Sequence, residues 1–187
     1  MTGRRSVIAI SGEPAAGKTT AAALLAEIVD GLTIDTDLLS APLRDAALSC
    51  LGMSPRDVDT PFFRDHLRPA VYRCLTDTAV HLSQFGRPVI ISAPFHPSAV
   101  ESSFWESFQV EPAGVDAELL RIHVSADAVA VRTRMARCGE PRDAGKLADW
   151  DSYRGTWLAA PEPGVATVVN DGTLDDLREA LRAAVSV

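Results

Sequence analysis

Gly12-Glu13-Pro14-Ala15-Ala16-Gly17-Lys18-Thr19-Thr20 is the stretch on which the reading of this chain turns. Its first eight residues satisfy G-x-x-x-x-G-K-[ST], the Walker A pattern of a phosphate-binding loop. The spacing has a physical basis. Gly12 and Gly17 let the backbone curl so that successive N–H groups, those of Glu13 to Thr19, converge on phosphate oxygens. A helix starting near Lys18 adds the positive end of its dipole. The Lys18 ammonium can bridge the β- and γ-phosphates, and the Thr19 hydroxyl can hold Mg²⁺. Average composition yields this pattern by accident in roughly 1 in 100 chains of this length. Here Lys18 and Lys146 are the only lysines among eighteen Lys+Arg, which makes accident rarer still.

Outward from the loop, strands and helices alternate. Ser6–Ser11 is a β-branched run of the kind a buried strand needs. Thr19–Val29 is Ala-rich with Leu24, Leu25, Ile28 and Val29 on one side. Gly31 follows it, at the position where helices commonly turn left-handed. Leu32–Asp35, Pro88–Ser92, Leu119–Val124 and Ala166–Val169 read as four further strands. Ala70–Phe85, Asp127–Cys138 and the segment carrying Leu174, Leu177, Leu181 and Val185 read as helices, the last capped by Thr173. This order predicts an α/β fold with a five-stranded parallel sheet and helices on both faces. Residues 1–187 are expected to form one domain, an ordinary size for one core.

The remaining composition narrows the class. Hydrophobic residues make up 47% and charged residues 23%, and no apolar run approaches the length of a membrane span. The net charge of −7 argues against a nucleic-acid partner. Cys50, Cys74 and Cys138 are odd in number and lack metal spacing, which fits a reducing compartment. The start MTGRRSVIAISG has arginines before an apolar run, but Glu13 and Lys18 interrupt where a signal segment would continue. A cytoplasmic location is the expectation, with no membrane partner; pairing into a homodimer stays open.

Asp35 and Asp37 end the second strand. Two residues apart in extended chain, they project to one face, at the strand ends where ligands of open α/β sheets bind. One carboxylate can orient metal-bound water while the other accepts the proton of an attacking hydroxyl. A helix cap at Asp37 is the alternative.

With the loop, the Asp-x-Asp strand end and the Arg-rich segment VRTRMARCGEPRD (131–143) on the page, the chain resembles small P-loop kinases. Gluconate kinase, chloramphenicol phosphotransferase, zeta-toxin-type kinases and the polynucleotide kinase 5′ domain are the families in question. The resemblance implies a three-layer P-loop NTPase fold of the nucleoside-monophosphate-kinase type. It also implies a lid over about 127–150 and an acceptor-capping region over about 38–70. It assigns the general base to Asp37, with Asp35 as support and, with Thr19, as metal ligand. Arg137 and Arg142 become lid arginines that clamp the transferred group, and Arg134 joins the nucleotide site. Asn170-Asp171-Gly172-Thr173 resembles the loop that contacts the adenine, which puts Gly172 and Thr173 there; a helix cap explains Thr173 equally well. Arg44, Arg64 and Arg68 fall where an anionic acceptor would be held, although surface placement is the plainer reading of the last two. Phe95, with Phe104, Trp105 and Phe108, forms either an aromatic wall beside the acceptor or core packing. One departure stands out: Ser92 occupies the position at the end of the third strand where relatives often carry an Asp.

The expected function is therefore an ATP- and Mg²⁺-dependent phosphotransferase acting on a hydroxyl of a sugar, nucleoside or antibiotic. A nucleotide kinase with a phosphate acceptor and a non-enzymatic nucleotide-dependent switch are the alternatives. Lys146, Asp149, Trp150 and Tyr153 either line the acceptor pocket or pack the lid. Arg132 is either a further member of the arginine cluster or part of a solvated helix face, and His66, His81, His96 and His123, lacking metal spacing, are read as structural.

Overall fold

In the first strand, successive side chains leave to opposite faces, and both faces are apolar. Val7 and Ala9 join one buried cluster while Ile8 and Ile10 join another. Such a strand can sit only at the centre of a sheet covered on both sides. The computed structural model describes residues 5–58, 60–95, 104–105, 117–140, 143–155 and 164–186. Its strands are β1 (Arg5–Ser11), β2 (Leu32–Asp35), β3 (Val89–Ser92), β4 (Ala117–Ser125) and β5 (Ala166–Val169). They form one sheet in the order β2-β3-β1-β4-β5, every pair parallel.

Helix α1 (Lys18–Val29) and the last helix, α7 (Leu174–Val185), cover one face. There Leu24, Leu25, Leu177 and Leu181 pack on Ile8, Ile10, Ile90 and Ile122. Helix α3 (Arg68–Ser83) covers the other, setting Tyr72, Leu75 and Ala79 on Val7, Ala9, Val89 and Ile91. Each buried Leu, Ile or Val among them contributes about 1.5–3 kcal/mol of burial free energy. Between β4 and β5 come α4 (Ala128–Cys138) and the short helices α5 (Ala144–Ala148) and α6 (Trp150–Gly155). Ala126, Val131 and Met135 anchor this region, with Leu147, Trp150 and Tyr153 packed against them.

The strand assignments agree with the alternation expected, with ends shifted by at most two residues. Two local expectations need correction. The left-handed residue after α1 is Asp30, at φ 49°, not Gly31. Gly31 is needed for a different reason: a Cβ there would lie 2.5 Å from Ile90 Cδ1 and 2.9 Å from the Pro88 carbonyl. The second correction is α2 (Thr36–Cys50), a fifteen-residue helix that begins directly after β2. Pro42 inside it hides the helical pattern, because proline lacks the N–H that the ladder uses.

Candidate active site

The sheet register brings the strand ends together. Asp35 lies opposite Ser92, Ser92 opposite Ile10, and Ser11 opposite His123. The loop that leaves β1 curls over this edge through three positive φ angles, at Gly12 (146°), Ala15 (63°) and Gly17 (98°). A Cβ at Gly12 would stand 2.2 Å from the Val124 carbonyl oxygen, and one at Gly17 would stand 2.2 Å from Asn170 Nδ2. The cradle thus exists because these two positions carry no side chain. Gly17 is the N-cap of α1 and has no side chain to satisfy the first-turn N–H groups, so they remain available to an anion.

Lys18 arches back over the loop and donates from Nζ to the Glu13 carbonyl at 2.8 Å. Burial lowers its pKa from 10.5 to about 8, against the opposing pull of Asp35, Glu13 and Asp37, with Lys146 adding to the lowering. Three carboxylates and a second ammonium thus act on one lysine. Lys146 reaches this neighbourhood from α5, where it pairs with the buried Asp143 at 2.8 Å. On the opposite side of the loop, Ser11 Oγ and His123 Nδ1 lie 3.1 Å apart. Desolvation, and then the Lys18 charge, push the His123 pKa down, which favours the neutral imidazole.

The two strand-end acids stand together, though not as two residues of one extended strand. β2 stops at Asp35, whose Oδ1 accepts from the N–H groups of Asp37 (2.9 Å) and Leu38 (3.4 Å). Asp35 is therefore the N-cap of α2, the role the cap alternative gave to Asp37. Asp37 sits in the first helical turn and pairs with Arg44 at 3.0 Å, two turns along the same helix. Thr36 Oγ1 donates to the Ser92 carbonyl at 2.6 Å and sews the helix start to β3.

Between the loop and α4, Ala15, Gly17, Lys18, Thr19, Arg134, Arg137 and Cys138 line a cleft of about 470 Å³. Arg134 donates to the Asn170 carbonyl at 2.8 Å and the Ala16 carbonyl at 3.5 Å, while Asn170 Nδ2 donates to Ala16 at 2.8 Å. Arg137 faces the same cleft one turn further on. Arg142 and Phe108 lie outside the described residues.

Several expected site residues are placed elsewhere. Arg64 is exposed and pairs with its neighbour Asp65 at 2.8 Å. Arg68 donates to the Val58 carbonyl at 3.0 Å and lies over the Phe63 ring, tying down the loop before α3. Phe95 is 5% exposed, with its ring 5.0 Å from Tyr72 and 5.1 Å from Trp105, so it belongs to the core on the α3 face of the sheet. Thr173 and Gly172 serve the start of α7. The Thr173 hydroxyl and N–H engage Asp176, and a Cβ on Gly172 would strike that same carboxylate. Of that loop, it is Asn170 that reaches the phosphate loop. Arg132 stacks on Trp150, which with Tyr153 packs against Ala126, Val131 and Met135. Thr20 is exposed on α1 next to Thr19, and Pro14 is partly covered.

Asn170 was read only as part of the loop resembling the adenine-contacting one; its side chain reaches the Ala16 carbonyl. Arg154 went unread, with no local signal to mark it: it reaches back from α6 to ion-pair with Glu13, 141 residues away.

Solved structures with this fold include a gluconokinase from Sinorhizobium meliloti 1021, 16% identical with a TM-score of 0.62, matching 98% of this chain and 93% of that one. A sugar kinase from Janibacter sp. HTCC2649 is 19% identical with a TM-score of 0.64, over 97% and 95% of the two chains. The Mycobacterium tuberculosis APS kinase, in complex with AMPPNP and APS, is 15% identical with a TM-score of 0.58, over 99% of each chain. The chain thus has the fold of the P-loop kinases from end to end. No family model matches it, and no curated protein sequence does.

Proposed function

We propose that this protein transfers the γ-phosphoryl group of ATP to a hydroxyl of a small molecule, with Mg²⁺ as cofactor. The observation that carries the reading is the convergence on Lys18. A glycine-formed cradle, a helix start with open N–H groups and the Asp35 and Asp37 carboxylates surround one half-buried ammonium. The loop amides and Lys18 bind and orient the β- and γ-phosphates, and Arg134 with Arg137 holds the nucleotide from the lid side.

The residues present fit a divalent cation of the Mg²⁺ type. Among the described residues no group of three or more His, Cys, Asp or Glu could hold a metal. Magnesium asks for little more than one or two protein oxygens beside nucleotide phosphates. Thr19 and Asp35 would supply them, with Ser92 lending no charge. When bound, the ion neutralises charge shared between β- and γ-oxygens.

Asp37 is the proposed base. It is half exposed at the helix start, where an acceptor hydroxyl can reach it, and Arg44 pairs with its carboxylate at 3.0 Å and orients it. A phosphate acceptor would instead call on spare arginines. The engagement of Arg44 by Asp37 and of Arg64 by Asp65 favours a hydroxyl acceptor over that alternative.

The test is a screen of sugars, nucleosides and aminoglycoside- or phenicol-type alcohols, following ADP release and product mass. A productive acceptor should lose phosphorylation by a factor of about 10³ or more with Lys18→Ala. Asp37→Asn should lose transfer by about 10²–10⁴ with nucleotide affinity retained. Equal loss of both in Asp37→Asn would move that residue to a structural duty.

A further inference from the structure

A phosphate-binding loop gains nothing from a carboxylate of its own, yet Glu13 is one, and it is 4% exposed. Its backbone carbonyl accepts from both the Lys18 ammonium and the Ala16 N–H, so its main chain is part of the cradle. Its side chain turns to the lid. There Arg154 Nη1 donates to Oε1, and Nη2 donates to the Ala126 carbonyl at the end of β4 at 3.4 Å. The other carboxylate oxygen, Oε2, is buried and has no hydrogen-bond partner among the described residues. Among the described residues one guanidinium pairs directly with this buried carboxylate, at the loop that receives the triphosphate, and the Lys18 ammonium acts on it from a distance. A buried carboxylate stripped of its partner is strongly unfavourable, and beside incoming phosphates it is repulsive as well.

We infer that Arg154 is a positioning residue of the phosphate site: it acts through Glu13, cancelling the loop's own negative charge, and so makes docking of residues 143–155 a condition for nucleotide binding. The inference rests on the nucleotide reading above and deepens it. Without Arg154 in place the loop carries an acid at its base and repels the ligand. With it, the loop presents only amides and Lys18. The arrangement couples a short surface helix to the phosphate loop through one ion pair.

The test measures binding of the non-hydrolysable donor AMPPNP with Mg²⁺ to the full chain by calorimetry. Arg154→Met should weaken binding about a hundredfold, and Arg154→Lys should restore most of it. Glu13→Gln in the Arg154→Met background should return affinity to within about threefold of the parent. Rescue by removing the carboxylate is the result a merely structural arginine would not produce. Unaltered binding in Arg154→Met, or a double variant as weak as Arg154→Met, would overturn the inference while leaving the nucleotide reading intact. Absence of binding by the parent chain would overturn both. If Arg154→Met does not fold, the parent and the double variant decide: agreement within about threefold supports charge cancellation, and a loss above about tenfold refutes it.

Discussion

At Gly17 two independent constraints coincide: a φ of 98° and a neighbour, Asn170 Nδ2, only 2.2 Å from where a Cβ would stand. Gly17→Ala must displace Asn170 from the Ala16 carbonyl as well as bear backbone strain of about 1–3 kcal/mol. It should reduce nucleotide affinity by more than about tenfold, read by titration with AMPPNP. Lys18 yields a second expectation, this one in pH. Its pKa is about 8 in the folded chain against 10.5 ordinarily. Below about 8 the ammonium is present in folded and unfolded states alike, and the burial penalty is full and constant. Between about 8 and 10.5 the unfolded chain binds more protons, so the Lys18 contribution makes stability rise with pH. Denaturant midpoints of the ligand-free protein, compared with Lys18→Met, should isolate that rise. Phosphate binding favours the ammonium, so above about pH 8 nucleotide binding should take up a proton, seen as a buffer-dependent enthalpy. Of these residues, Gly12, Gly17, Lys18 and Thr19 were legible because a local pattern encodes a local geometry. Glu13 was legible as part of the loop, but its buried ion pair was not.

Among the elements, α7 separates structural from ligand-binding duty. Thr173 and Asp176 form a reciprocal capping box, the Thr173 hydroxyl accepting from the Asp176 N–H and the Asp176 carboxylate accepting from the Thr173 N–H. Thr173→Ala should cost about 1 kcal/mol of stability, read by denaturant melting, and leave nucleotide affinity unaltered. A selective loss of affinity would return Thr173 to the nucleotide site. Helix α2 carries the opposite lesson. Its start was readable in Asp35-Thr36-Asp37, but Pro42 and the exposed Leu38 and Leu43 blur its period. The helix forms because Asp35 caps it and because Ser40 and Leu48 are buried beneath it. This moves Asp37 from a strand tip to a helical first turn, within reach of Arg44. Sequence spacing alone put the two acids on one face for the wrong geometric reason.

For the whole molecule, cleft and core are joined at one sheet edge, so a ligand held there stabilises the entire fold by mass action. Nucleotide with Mg²⁺ at a hundred times its dissociation constant should add about 2.7 kcal/mol. That corresponds to a rise in Tm of roughly 5–10 °C for a chain of this size. Lys18→Ala should abolish the rise at the same ligand concentration, as a thermal scan would register. The alternating strands and helices, the parallel sheet and the phosphate loop follow from short-range patterns: period-two and period-3.6 burial, glycine at positive φ, capping side chains. Each is specified within a dozen residues, so the chain states it openly. The pairing of Arg44 with Asp37, of Asn170 with Ala16 and of Arg154 with Glu13, and the exposure of Arg64 and burial of Phe95, depend on where distant or flexible side chains end after packing. An arginine can reach many partners, and burial and the parallel crossover order select among them only once the sheet has assembled.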